Sequence, residues 1–185
     1  VQPQGSIKFL GEEISGMPSH TIALKGIGYV PENRDIFPDL TVYENLLAIA
    51  QIVIKKTSDQ KEIVEKLMAE FSLTHLRSVN AVALSGGERR RTEIARCLIN
   101  SPKVLLLDEP FAGVDLLSIQ DIKGLLIKLQ ARGCSLIVTD HNASQLLSVV
   151  DRAYVVANGS VIADGAPRDI ATSREAKRLY FGEDF

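Results

Sequence analysis

Asp108 and Glu109 are adjacent carboxylates placed directly after the apolar run Val104-Leu105-Leu106-Leu107. An unbroken apolar run is the pattern of a parallel strand covered on both faces, and open α/β sheets bind their ligands beyond the C-terminal ends of such strands. Upstream, Ser85-Gly86-Gly87-Glu88 has the spacing of a capping box: the Ser85 side chain takes a first-turn amide and Glu88 reaches back to the cap. A helix opened in this way points amides and the positive end of its dipole outward, and two glycines let an anion approach the backbone. A phosphate suits that place. Taken singly, a capped turn and an acidic strand end are more often structural than functional. Their order and spacing within Leu84–Asp115, LSGGERRRTEIARCLINSPKVLLLDEPFAGVD, leave that plain reading little room.

The elements that must position these residues are legible on either side. Ile7 and Phe9 alternate before Gly11 and predict a hairpin; Gly26–Pro31 reads as a strand stopped by proline, followed by a loop over 32–38. Thr41 to Glu44 is a second capping box, opening a helix with Val42, Leu46, Ile49, Ala50 and Val53 on one side. A further helix is expected over 60–71, with Ile63, Val64, Leu67 and Met68 as its stripe. Phe37 and Tyr43 are candidates for a partner groove or for a hydrophobic staple against the helix. Beyond the central stretch, 116–132 predicts a helix ended by Gly133, 135–139 a strand with Asp140-His141 at its end, 142–149 a helix, and 154–164 a hairpin announced by Asn158-Gly159. The three arginines Arg89, Arg90 and Arg91 point to different sides of one helix and read as solvated or interface charges.

LSGGE, then LLLDEP, AGVD and a lone His after a strand resemble the ATPase subunits of ABC transporters, and the likeness spans essentially the whole chain. It implies an α/β fold, an ABC-type nucleotide-binding domain with a P-loop NTPase-like sheet and a helical subdomain, divided as 1–38 (core with the loop that contains Glu32), 39–99 (helical subdomain and signature helix) and 100–185 (rest of the core). It also implies ATP and Mg²⁺ as ligands. Asp108 is then the metal-side carboxylate, Glu109 the general base or water-orienting group and His141 the contact to the γ-phosphate. Ser85, Gly86, Gly87 and Glu88 would serve the nucleotide of a second subunit in a head-to-tail dimer, with Asp115 near that interface. Glu32 stands where the family has a Gln, and as a carboxylate it can also ligate Mg²⁺. ERRR, EPFAGVD, TDHN and the ending YFGEDF are similar more specifically to the ATPases of lipopolysaccharide export, and a Pro-Glu pair at the Glu32 position occurs among branched-chain amino acid importers. The implied partners are the second ATPase and transmembrane permease subunits, with the chain on the inner face of the cytoplasmic membrane.

The family's P-loop, GxxxxGK[ST], has no counterpart in these residues, so the expectation is of a domain that lacks its N-terminal portion and is inactive alone; the competing expectation is a non-catalytic interaction remnant. DNA-repair and chromosome-organising ATPases share the LSGG and strand-end motifs but carry long coiled-coil heptads, which this sequence does not. With 185 residues, 45% of them hydrophobic, and a net charge of -2, the chain is expected to bury one sizeable core and to lack a nucleic-acid footprint. Its longest apolar stretch, 46–54, falls well short of the roughly 20 residues that span a bilayer. No signal peptide is visible. Cys97 and Cys134 show no metal spacing and are expected as buried free thiols in helical surroundings. His20 and His75 are expected at the surface.

Overall fold

The structure, a computed structural model, describes residues 5–33 and 36–173, and the chain divides into two compact units between Val138 and Thr139. The expected closing segment 175–184 lies outside the described residues.

The first unit opens with a small antiparallel hairpin, β1 (Lys8–Phe9) and β2 (Glu12–Glu13), followed by α1 (Ser19–Leu24). Its three-stranded sheet has the order β3 (Ile27–Val30), β4 (Val104–Asp108), β5 (Ser135–Thr139). β3 and β4 run parallel, with Ile27 opposite Val104 and Val30 opposite Leu107. Between them the chain builds α2 (Val42–Val53), α3 (Thr57–Glu70) and α4 (Gly86–Leu98); α5 (Leu116–Ala131) connects β4 to β5. Both expected capping boxes are present, Thr41 with Glu44 on α2 and Ser85 with Glu88 on α4. The core of this unit gathers Leu46 and Ala50 of α2, Val64 and Met68 of α3, Ile94 of α4, Leu105 and Leu107 of β4, and Ile122 of α5.

Two expectations need correction. β4 is not covered on both faces: Leu105 and Leu107 are buried, whereas Val104 and Leu106 are half-buried. α4 comes close to β3 where Gly28 has no side chain; a Cβ there would come within 2.6 Å of Cys97 Sγ. On β3 the outward Tyr29 is 56% exposed, and on β5 Ile137 is 58% exposed. The cysteines are half-buried free thiols, and Cys134 lies in the turn before β5 rather than in a helix.

The second unit contains α6 (Ala143–Leu147), the antiparallel pair β6 (Ala153–Ala157) and β7 (Ser160–Gly165), and α7 (Pro167–Thr172). Asn158 and Gly159 both take positive φ, 50° and 75°, as the tightest hairpin turn requires. Its small core is Val155 and Ile170, flanked by Leu147, Ala153, Ile162 and Ala163.

Candidate active site

The C-terminal ends of β3 and β4 bring the acidic residues to one edge of the sheet. Val30 stands opposite Leu107, so Pro31-Glu32 and Asp108-Glu109 leave the sheet side by side. Asp108 accepts a hydrogen bond from the Tyr29 hydroxyl, Oη to Oδ2 3.2 Å. Partial desolvation of the hydroxyl and the hydrogen bond to this carboxylate hold the Tyr29 phenol above its usual pKa. Glu109 adopts φ 44°, the left-handed region that side chains other than glycine seldom occupy. Its carbonyl then accepts from the Ala112 amide at 3.2 Å, turning the chain towards Gly113. Glu32 is exposed, one residue beyond Pro31.

The signature turn is built as expected at its cap. Ser85 Oγ accepts from the Glu88 amide at 3.3 Å, and the Ser85 amide donates to Glu88 Oε2 at 2.9 Å. Hydrogen bonds from Ser85, side chain first and then backbone, hold the Glu88 carboxyl below its usual range. The two glycines have a use that the sequence did not reveal. A Cβ on Gly86 would lie 2.5 Å from the Gly113 carbonyl, and one on Gly87 would overlap Ser118 of α5. The side-chain space at both positions is thus filled by the chain itself. Asp115 is the N-cap of α5, accepting from Leu117 N at 3.1 Å and Ser118 N at 3.0 Å. The same turn therefore interlocks the start of α4 with the start of α5.

Arg90 and Arg91 are buried rather than solvated and Arg89 is half-buried, because α4 is enclosed on most of its circumference. Arg90 is 5% exposed and Arg91 9%. Arg90 Nη1 donates to the Pro31 carbonyl at 2.7 Å and pairs with Glu93 Oε2 at 3.0 Å, while Nη2 donates to the Asp108 carbonyl. Burial pushes the Glu93 carboxyl up, against the pull of Arg90. Arg91 lies 3.7 Å from Asp121 of α5, and Arg89 donates to the Leu84 carbonyl at 3.0 Å. Sequence reasoning missed Arg90, Tyr29 and also Asn45, which is fully buried and bonds through its side chain to the backbone of Phe37, Leu40 and Thr41. Asn45 thereby fixes the loop that runs into α2. Phe37 and Tyr43 each lie under a guanidinium, Phe37 under Arg96 at 4.8 Å and Tyr43 under Arg77 at 3.9 Å.

His141 belongs to the second unit, exposed in the turn after β5 beside Asp140 and Asn142. Asp140 Oδ1 accepts from the Asn142 amide at 2.8 Å, and Asn142 in turn caps α6. Among the described residues no three His, Cys, Asp or Glu gather as a metal cluster, and no helix is long and apolar enough to cross a membrane. The first unit also carries an open apolar cleft of about 580 Å³ between α1, β3, α2 and α4, with Tyr29, Ile52, Cys97 and Leu106 in its walls.

A parallel sheet that gathers two carboxylates at its strand ends, beside a capped Gly-Gly turn, defines an α/β nucleotide-hydrolysing domain. The family model described as ABC transporter matches residues 1–112, and the chain belongs to that family, as an ATP-binding subunit of the ABC ATPase type. It is 48% identical over all 185 residues to the lipopolysaccharide export system ATP-binding protein LptB of Haemophilus influenzae, of which it covers 77%. It is 47% identical over 182 residues, 98% of the chain, to the LptB protein of Escherichia coli K12, covering 76% of it. Among solved structures it is similar to the ADP conformation of an ATP-binding cassette of an ABC transporter, with TM-score 0.83 and 28% identity over 97% of this chain and 78% of that one.

Proposed function

We propose that this chain is the ATP-hydrolysing part of a lipopolysaccharide exporter, with Glu109 as the group that activates the attacking water. The likeness to the LptB proteins of two organisms along nearly the whole chain supports the exporter reading. The observation that carries the chemistry is Glu109 itself, a carboxylate held in a rare backbone conformation at the ligand-binding edge of the sheet.

The donors present suit Mg²⁺, which takes one or two carboxylates and fills its remaining positions with phosphate oxygens and water. Asp108 supplies such an oxygen and is oriented by Tyr29, and Glu32 is a second carboxylate, itself exposed, on the same edge. When bound, the ion neutralises charge that develops on the phosphates. Glu109 accepts the proton of the water, a role worth about 10² to 10⁴ in rate. His141 contacts the γ-phosphate, and Ser85, Gly86, Gly87 and Glu88 face the nucleotide of a second copy in a head-to-tail dimer with Asp115 near its interface. The chain sits on the inner face of the cytoplasmic membrane through transmembrane permease subunits. The 185 residues alone are expected to bind Mg-ATP weakly, because they contain no GxxxxGK[ST] loop to cradle the β- and γ-phosphates.

The test is Glu109→Gln in the intact protein. ATP turnover is expected to fall by about 10² or more while nucleotide affinity stays near that of the parent, because the amide keeps the size and loses the base. Sizing with ATP should show a trapped dimer. Turnover at the parent rate would overturn the assignment.

A further inference from the structure

We propose that Arg90 is a positioning residue for hydrolysis, holding the backbone from which Glu109 and Glu32 project. The inference rests on the reading of Glu109 as the base and adds the group that sets its geometry. Glu109 reaches φ 44° by rotation about its own N–Cα bond, starting from the plane of the Asp108–Glu109 peptide. The carbonyl of that peptide is the one that accepts from Arg90 Nη2. The other arm, Nη1, donates at 2.7 Å to the Pro31 carbonyl, which belongs to the peptide that leads into Glu32. A single guanidinium thus fixes the peptide planes before both carboxylates, residues that are 59 and 18 positions from it along the chain at their anchoring carbonyls.

The chemistry of the side chain explains why an arginine stands here. Its planar fork presents donors in fixed directions, so that two carbonyls on neighbouring strands can be held at once; an ammonium is a single point on a flexible stem. Burial at 5% exposure removes competing water, and Glu93 at 3.0 Å balances the charge. A left-handed glutamate persists only where its surroundings over-determine it. Two carbonyl anchors on one rigid side chain supply that constraint from α4, the helix whose first turn is the Ser85 cap. Arg90 itself touches neither water nor nucleotide in this role.

The test uses the intact protein with Mg-ATP. Removing Arg90 alone would strand a buried Glu93, so the main variant is Arg90→Met with Glu93→Gln, and Glu93→Gln serves as its control. The double variant is expected to lose about tenfold to a hundredfold in kcat, the penalty of a base displaced by a fraction of an ångström to an ångström, with KM within about threefold of the parent. Amides of Glu109, Phe111 and Ala112 should exchange faster in it, whereas Glu93→Gln, which leaves both carbonyl bonds, should keep the parent kcat and exchange. Arg90→Lys should fall between. Parent kcat in the folded double variant, or unchanged exchange at those amides, would overturn the proposal. If the double variant does not fold, the single variants decide: a kcat loss in Glu93→Gln equal to that in Arg90→Lys would overturn it. Glu109→Gln run alongside separates the two readings. Parent turnover there would remove the base assignment, while the exchange measurement still reports whether Arg90 holds the Glu109 backbone.

Discussion

Glu109 stores strain at the point where the chemistry is placed. An L-residue in the left-handed region costs about 1 to 2 kcal/mol, a cost that glycine does not bear. Glu109→Gly and Glu109→Ala both delete the carboxylate, so a comparison between them isolates the backbone. We expect Glu109→Gly to be the more stable of the two by about 1 kcal/mol, read as a higher urea midpoint at unchanged slope, and both to lack hydrolysis. Equal midpoints would show that the turn relaxes once the side chain is gone. At this scale the sequence revealed much of the candidate site, because carboxylates after an apolar strand and a Ser-x-x-Glu cap carry their chemistry in their types and spacing. It did not reveal Arg90 or Tyr29. An arginine on a helix is read as exposed unless its neighbours are known, and those neighbours, Pro31 and the Asp108 carbonyl, come from strands distant in the chain.

At the scale of elements, the starts of α4 and α5 are fitted into each other, and the two glycines of the signature turn are what allows it. Gly87→Ala would press a methyl group into Ser118, whose Cβ as well as Oγ is in the way, so that rotation of the side chain gives no relief. We expect a loss of about 1 to 3 kcal/mol, typical of overpacking, and substantial recovery when Ser118→Gly is added. Thermal unfolding of the single and double variants measures this; an unaffected single variant would mean that the helices are free to part. The cap itself gives a pH dependence. The folded pKa of Glu88 lies below its unfolded value, so its contribution is complete above about pH 4.3 and is lost as pH falls through the folded value. Glu88→Gln can still close the capping box but does not titrate. Its stability should therefore fall less steeply than the parent's between about pH 5 and pH 3. Identical acid slopes would exclude Glu88 as a contributor. The capping boxes were legible because they are local in sequence. The interlock was not, since a glycine's neighbours in space leave no mark on the residues beside it.

For the molecule as a whole, the sheet order was foreseeable only in part. The apolar runs identified β4 and β5 as strands, and parallel pairing of β3 with β4 follows once α2, α3 and α4 are recognised as a crossover. Periodicity cannot show whether a second layer covers the other face, and on that point the apolar run over Val104–Leu107 misled. In the first unit that face presents Tyr29 at 56% exposure, and β5 carries Ile137 at 58%. Among the described residues β3 and β5 stand at the two ends of the sheet order, so each presents a strand edge. Apolar side chains next to open strand edges favour pairing between copies. We therefore expect the 185-residue chain, without nucleotide, to associate with rising concentration through this face and not through the ATP sandwich. Sedimentation velocity over a range of concentrations would detect it, and Ile137→Lys, a charge on an edge strand, should shift the distribution to the monomer while leaving the fold intact by circular dichroism. A chain that is monomeric throughout, with slow amide exchange across Leu136–Val138, would refute association at the sheet edge.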